Sequence, residues 1–276
     1  MEKLKIIRHI EEQESNFDFR NSPINNDEVN ILKDYYIPEI ITDIESGKYN
    51  NVTIISSDKL RSTQTSEILK NEIAKHSGIP INNEVDDRSS PQFHGIYRPG
   101  LDSEDYRIEM ARSIYIKETF EKGNVWYRYG DSKSDTGESL YPEMDDIFSK
   151  PGENQIELNI RMYGFCLDLL DRVEQDPSTL FILSTHYLTM SRFLALEAIS
   201  KAKSPFGLFI KPGELYKEEW DTTKEIVKES GYKEFFKEHN YVFNVDLSKL
   251  DEIRGSITSE LCTLLDRYEQ HYEKTN

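Results

Sequence analysis

Two apolar segments that lie far apart in the sequence each end on a histidine. The first, KLKIIRHIEE at residues 3–12, reaches Arg8 and His9, and the second, TLFILSTHYL at residues 179–188, reaches His186. A neutral imidazole can attack phosphorus and form a covalent bond, and a protonated imidazole stabilises negative oxygen. If the two segments meet, they predict chemistry on a tetrahedral oxyanion.

A third segment adds polar side chains suited to the same ligand. SSDKLRSTQT at residues 56–65 presents Ser57 and Arg61 where a strand is expected to pass into a helix. Guanidinium groups bind tetrahedral oxyanions through paired hydrogen bonds, and arginine keeps its proton. Backbone N–H groups at helix N-termini add further donors. Arg8, Arg61 and the two histidines therefore predict a cationic socket.

Taken singly, each of these features has an ordinary structural explanation. An Arg-His pair at a strand end is usually solvated, and a Ser-Ser pair before a helix is usually a cap. A histidine near a helix start often bonds the local backbone. Their joint occurrence at the ends of three apolar segments favours one site.

The elements that must position these residues alternate between strand and helix. Strands are expected at 3–8, 51–57, 79–85, 179–185 and 241–247. Helices are expected at 27–47, 60–76, 103–122, 155–175, 187–201, 215–238 and 248–273. This alternation predicts a three-layer α/β/α sandwich with a mostly parallel central sheet, in which ligands bind beyond the carboxyl ends of the strands.

Length and charge narrow the class of protein. The 276 residues suffice for one large α/β domain with additions. The net charge of −17 repels nucleic acids and anionic membranes, so neither is an expected partner. The sequence has no run of 18 apolar residues and no signal-peptide pattern, which favours a cytoplasmic protein. Cys166 and Cys262 lack metal-ligand spacing, and Cys166 is expected to be a buried thiol.

The three segments resemble the motifs of the histidine phosphatase superfamily, which has the phosphoglycerate-mutase-like fold. RHIEEQESN resembles its opening Arg-His-Gly-Glu motif, and SSDKLRSTQTSEIL resembles its Ser-Ser-x-x-x-Arg-x-x-Gln-Thr-Ala motif. STHYLTMSRFLALE resembles its closing Ser-His-Gly segment. The resemblance covers residues 3–200.

This resemblance implies an enzyme that hydrolyses a small phosphorylated metabolite, a phosphomonoester, through a covalent phosphohistidine. His9 would carry the phosphoryl group, and Arg8, Arg61 and His186 would hold it, with Ser57 at the same phosphate site. No metal and no other cofactor is implied.

Two segments compete for a further motif of the family, Tyr-Arg-x-x-x-Gly-Glu-Ser. GNVWYRYGDSKSDTGES at residues 123–139 resembles it and would place Arg128 and Glu138 at the phosphate site. GENQIELNIR at residues 152–161 also fits the Gly-Glu to Arg spacing.

The chain departs from the family pattern where catalysis is most sensitive. Ile10 and Tyr187 stand where the family has glycine after each histidine, and Ser90 stands where it has the general acid. A serine does not protonate a leaving alkoxide as a carboxylic acid does. Asp87 is the preferred substitute acid. Other candidates are Asp86, Glu138 and His94.

These departures keep two alternatives open. A degenerate relative would bind a phosphorylated ligand without turnover. A phosphoglycerate-type mutase is the other alternative, and it would need a carboxylate-binding set that the sequence does not identify.

Two additions to a catalytic domain over 1–201 are expected. Residues 93–150 are rich in aromatic residues and arginines, which fits either a lid over the pocket or a peripheral cluster that packs on itself. Among these residues, Arg128 in the stretch WYRY is the one expected to have a functional role. Residues 202–276 are expected to form a helical extension packed on the domain or on a second copy, so a homodimer is possible.

Overall fold

The computed structural model describes residues 4–9, 23–26, 29–98, 104–118, 122, 124–130, 147–186, 242–244, 248 and 250–275. The strands are β1 (Leu4–Arg8), β2 (Asn51–Ser56), β3 (Ile81–Val85), β4 (Ile96–Tyr97), β5 (Phe148–Lys150), β6 (Thr179–Thr185) and β7 (Val242–Asn244). The helices are α1 (Val29–Ile31), α2 (Ile37–Glu45), α3 (Leu60–His76), α4 (Glu104–Ile116), α5 (Gln155–Gln175) and α6 (Leu250–Thr275). None of these described helices combines the length and apolarity that crossing a membrane requires. The helices expected at 187–201 and 215–238 lie outside the described residues.

Five strands form one sheet in the order β3-β2-β6-β1-β7. β6 pairs in parallel with both β1 and β2, and β2 pairs in parallel with β3. β7 runs antiparallel beside β1. The prediction of an α/β fold with a mostly parallel sheet is therefore confirmed. The four parallel strands direct their carboxyl ends, where ligands bind in such sheets, to one edge.

Helices flank the sheet, because successive side chains of a strand point to opposite faces and both faces are apolar. On one face Ile7, Ile54 and Ile182 belong to a buried cluster that includes side chains of α2 and α3. On the other face the buried ring of Phe181 lies 5.6 Å from the guanidinium carbon of Arg172 in α5. The strands are thereby fixed from both sides, which fixes the positions of the residues that follow them.

A π-helical turn, Leu32–Tyr36, interrupts the single helix expected over 27–47. Pro38 contributes to the interruption because it has no N–H to bond a carbonyl of the preceding turn. The wider turn also lets two successive side chains, Tyr36 and Ile37, face the core, where they are 3% and 5% exposed. Helix α2 then begins at Ile37.

A buried lysine ties β1 to α2. The side chain of Lys5 is 1% exposed, and its Nζ lies 2.7 Å from a carboxylate oxygen of Glu39 and 2.8 Å from one of Asp43. An ammonium group removed from water requires such partners. These ion pairs therefore hold the strand that ends at His9 against the helix.

The chain divides into two compact units. The first comprises the described residues within 1–91, 165–202 and 230–254, including the five-stranded sheet. The second comprises those within 92–164, 203–229 and 255–276. These units group the residues differently from the sequence-based division at 201/202. The assignment of a catalytic domain to 1–201 and a helical extension to 202–276 stays a prediction.

The second unit contains a small sheet and an aromatic cluster. β4 and β5 pair antiparallel. The cluster is formed by buried side chains: Ala111, Tyr115, Tyr127, Tyr129, Ile147 and Phe148. Gly130 has φ of 78°, and a Cβ there would lie 2.5 Å from the Phe148 ring, so glycine allows this close packing. These contacts support the second of the two expectations for segment 93–150, namely a cluster of aromatic residues that pack on one another.

Candidate active site

The strand register brings His9 and His186 together. β1 and β6 pair with Arg8 opposite Thr185. The residue that follows each of these is a histidine, so His9 and His186 lie side by side. The backbone N–H of His9 donates to the carbonyl of Thr185 at 2.9 Å. The ring centroids are 4.8 Å apart with planes inclined at 58°, and the residues are 8% and 3% exposed. The spacing matches that of neighbouring strands, so sheet geometry alone accounts for the pair.

Arg61 lies against the first histidine. It is the second residue of α3 and is 7% exposed. Its Nε donates a hydrogen bond to Nε2 of His9 at 3.1 Å. A guanidinium group only donates, so Nε2 of His9 must accept and carries a lone pair. The contact thus shows that Nε2 of His9 is unprotonated and places a permanent cation beside it.

Ser57 holds the second histidine. Its Oγ lies 2.6 Å from Nε2 of His186, and both residues are buried. The backbone N–H of Lys59 donates to the same oxygen at 3.3 Å. The N–H of Ser57 donates to Oγ of Ser62, whose hydroxyl donates to the carbonyl of Ser184 at 2.7 Å. Because Ser184 belongs to β6, these bonds connect the start of α3 to the strand that ends at His186.

The turn after β3 is fastened to the same edge of the sheet. The N–H of Asp86 donates to the carbonyl of Ser56 at 2.8 Å, and the Thr185 hydroxyl donates to the carbonyl of Ser89 at 2.7 Å. Arg88 pairs with the carboxylate of Asp86 at 2.8 Å. Burial acts to raise the pKa of Asp86, but hydrogen bonds and charge from Arg88 outweigh it, so the pKa lies below its usual value.

Ser90, at the position of the missing acid, reaches a carboxylate that the sequence analysis did not single out. Its Oγ donates to Oδ1 of Asp58, and Ser90 is 7% exposed. Asp58 directly follows Ser57, so its position between a strand and Arg61 was the available sequence signal. Asp87 is exposed, and the N–H of Ser90 bonds its backbone carbonyl at 3.0 Å. Among the described residues, no contact of the Asp87 carboxylate favours it as the acid, and its role stays a prediction.

Four other residues that the sequence analysis considered at the site are described only in part or not at all. Arg8 ends β1, and only its backbone is described. Glu138, Ile10 and Tyr187 lie outside the described residues. Within the part of the chain that is described, no cluster of three or more His, Cys, Asp or Glu side chains could hold a metal ion.

Arg128 lies in the second unit and is bound to a carboxylate there. Its Nη1 donates to Glu157 at 2.8 Å, and its Nη2 contacts the hydroxyl of Tyr272. Burial acts to lower the pKa of Arg128, but Glu157 and Tyr272 outweigh it, so the pKa is raised. An added phosphate would have to compete with Glu157 for this side chain.

The competing segment, 152–161, is also joined by an ion pair. Nε of Arg161 donates to Glu153 at 2.7 Å, and Nη2 donates to the other carboxylate oxygen at 2.8 Å. The same carboxylate accepts the backbone N–H of Phe93 at 3.0 Å. These contacts fasten the start of segment 93–150 within its own unit.

Comparison with known proteins finds similarity among solved structures. No family model matches the sequence, and no curated protein matches it. Among solved structures, a phosphoglycerate mutase from Bacillus anthracis str. Sterne is similar, with 14% identity over 74% of this chain and 82% of that chain and a TM-score of 0.41. A similarity this low supports no inference about activity or site residues. The function has to be inferred from the contacts among His9, Arg61, Ser57 and His186.

Proposed function

We propose that this chain is a histidine phosphatase that hydrolyses a small phosphomonoester through a phosphohistidine on His9. The observation that supports the proposal is the contact of Arg61 with Nε2 of His9, next to a second imidazole 4.8 Å from the first. The three segments that resemble the superfamily motifs are those whose ends meet here. Membership of that superfamily is part of the proposal.

The first half-reaction is a displacement at phosphorus. The Arg61 N–H moves from Nε2 of His9 to a phosphoryl oxygen, the lone pair freed on Nε2 attacks phosphorus, the phosphorus–oxygen bond breaks, and the leaving oxygen departs with its electron pair. Arg61 stands beside the attacking nitrogen, so its charge lies next to the oxygens on which negative charge develops. Preorganised donors and cations of this kind are often the largest contribution to catalysis.

The second half-reaction returns the enzyme to its starting state. Water attacks phosphorus, the phosphorus–nitrogen bond breaks, and the electron pair returns to Nε2 of His9. His186, whose Nε2 lies 2.6 Å from Oγ of Ser57 and whose ring centroid lies 4.8 Å from that of His9, is the second imidazole proposed to hydrogen-bond the transferred group in both steps.

The test is detection of the phosphoenzyme. The chain is mixed with p-nitrophenyl phosphate, quenched in alkali and examined for protein-bound phosphate, because phosphohistidine survives alkali and is lost in acid. His9→Ala should abolish both bound phosphate and turnover. His76→Ala is the matched control, since that imidazole is exposed at the end of α3, and it should change neither.

The outcomes separate the alternatives. Full turnover in His9→Ala would refute the proposal. Saturable binding of inorganic phosphate with no bound phosphate and no turnover would indicate a degenerate ligand-binding protein instead. Conversion of 3-phosphoglycerate to its 2-phospho isomer would indicate a mutase.

A further inference from the structure

A second polar pair lies next to two residues that bond Thr185 and His186 at the end of β6. Asp58 follows Ser57, which bonds His186, and Ser90 follows Ser89, whose carbonyl accepts the Thr185 hydroxyl. The Ser90 hydroxyl donates to Asp58 Oδ1. Two segments that touch the site are therefore joined by this bond.

The Asp58 carboxylate is held at one of its oxygens. The Ser90 hydroxyl donates to Oδ1, and Nζ of Lys59 donates to the same oxygen at 2.7 Å. The side chain is 46% exposed, whereas Ser90 is buried. Water can therefore reach the carboxylate while the bonds to Oδ1 keep it in one orientation.

The charge state of this carboxylate suits a base. Burial acts to raise the pKa of Asp58, but hydrogen bonds from Lys59 and Ser90 and the Lys59 charge outweigh it, so the pKa lies below its usual value. At neutral pH the group is ionised. It can accept a proton, and it has none to give to a leaving oxygen.

We propose that Asp58 is the general base of the second half-reaction, and that Ser90 is a positioning residue that orients it. The inference rests on the proposed phosphatase function. Water attacks phosphorus while its proton passes to the Asp58 carboxylate, and the phosphorus–nitrogen electron pair returns to His9. The proton then leaves Asp58 to solvent. In the first half-reaction the leaving oxygen receives no proton from Asp58.

The test measures the two half-reactions separately. Rapid mixing with p-nitrophenyl phosphate gives phosphoenzyme formation as a burst of p-nitrophenol, and the decay of bound phosphate gives hydrolysis. Asp58→Asn should leave the burst rate within about twofold and slow the decay by about 10²-fold or more, the size of a general-base contribution. Asp34→Asn, an exposed aspartate in the same unit, should change neither rate.

A second pair of variants tests the role of Ser90. Ser90→Ala removes one of the bonds that lower the pKa of Asp58, so the acidic limb of the decay rate against pH should move to higher pH. Ser90→Thr keeps the hydroxyl and should restore the natural profile. Lys59, the other group facing this carboxylate, is unchanged in both variants. A purely structural Ser90 would alter the amount of folded protein without moving the limb.

Each result decides the matter. Equal slowing of burst and decay in Asp58→Asn, or no slowing of either, overturns the role of Asp58 alone. Slow decay in Asp87→Asn with natural decay in Asp58→Asn would assign the base to the neighbouring turn. Absence of any phosphoenzyme in the natural chain, with His9→Ala unchanged from it, would instead overturn the proposed function from which this role follows.

Discussion

Replacement of Arg61 is the most direct test of the proposed phosphate pocket. Arg61 is 7% exposed, and its Nε lies 3.1 Å from the nitrogen proposed to carry the phosphoryl group. A phosphoryl oxygen attached at that nitrogen would lie about 4 Å from the guanidinium, where one pair of unit charges interacts by about 4 kcal/mol at an effective dielectric constant of 20. The oxygens gain negative charge in the transition state, so this attraction favours reaction.

The expected loss follows from that attraction. Removal of a single preorganised donor typically costs about 2.7–4 kcal/mol, or about 10²–10³-fold in kcat. Arg61→Ala should therefore lower kcat by about 10²–10³-fold. Arg61→Lys keeps a positive charge but loses the Nε–H that bonds Nε2 and the planar guanidinium, so its kcat should lie between those of the natural chain and Arg61→Ala.

The assay is steady-state turnover of p-nitrophenyl phosphate, read beside the thermal unfolding midpoint of each variant. Lys75→Ala is the matched control, because it removes a cation from the same helix at a side chain that is 62% exposed. It should keep the natural kcat. If Arg61→Ala kept more than half of the natural kcat while remaining folded, Arg61 could not lie beside the transferred group.

Three further predictions concern stability. Glu39→Gln combined with Asp43→Asn leaves the Lys5 ammonium buried without these carboxylates and should lower the free energy of unfolding by about 3–5 kcal/mol. Lys5→Met should cost less than half as much, because the carboxylates that it leaves behind are 41% and 26% exposed. The opposite order of the two variants in urea unfolding would contradict this. Asn159 is fully buried, and among the described residues neither polar atom of its side chain has a hydrogen-bond partner. Asn159→Leu should therefore raise the free energy of unfolding by about 1–3 kcal/mol, and a lower unfolding midpoint in denaturant would refute this. Because folding lowers the pKa of Asp86, the stabilising effect of its carboxylate should be complete well above the usual pKa of 3.8 and should disappear as pH falls through the folded pKa. The free energies of unfolding of the natural chain and Asp86→Asn, measured in urea, should therefore differ at neutral pH and converge in acid.

The sheet and the meeting of the histidines follow from legible features of the sequence. β1, β2 and β6 are short apolar runs that end on polar residues, and parallel strands bring their carboxyl ends to one edge. The ends of α3 and α5 were also predicted, because their apolar spacing is regular and Gly78 follows the first of them. Strand register, which puts Arg8 opposite Thr185, then supplies the distance between the rings.

Other features depend on contacts that no local pattern reveals. The bond of Ser90 to Asp58 joins residues 32 positions apart and exists because the turn after β3 folds back onto the end of β2. The π-helical turn arises where Tyr36 and Ile37 both pack inward, which a 3.6-residue period does not predict. Arg128 was expected to bind phosphate because its sequence neighbourhood resembles a motif, whereas its bond to Glu157 depends on residues far along the chain.

The position of β6 between β1 and β2 has a consequence for how the protein is made. β2 and β3 can pair as soon as residues 51–85 have left the ribosome, but β1 has neither β6 nor β7 to pair with until much later in synthesis. Such distant pairing slows folding, and an unpaired apolar strand is exposed to aggregation meanwhile. The nascent chain therefore holds His9 on a strand that lacks these partners until β6 has been synthesised, and the histidine pair is completed only when that central strand is inserted.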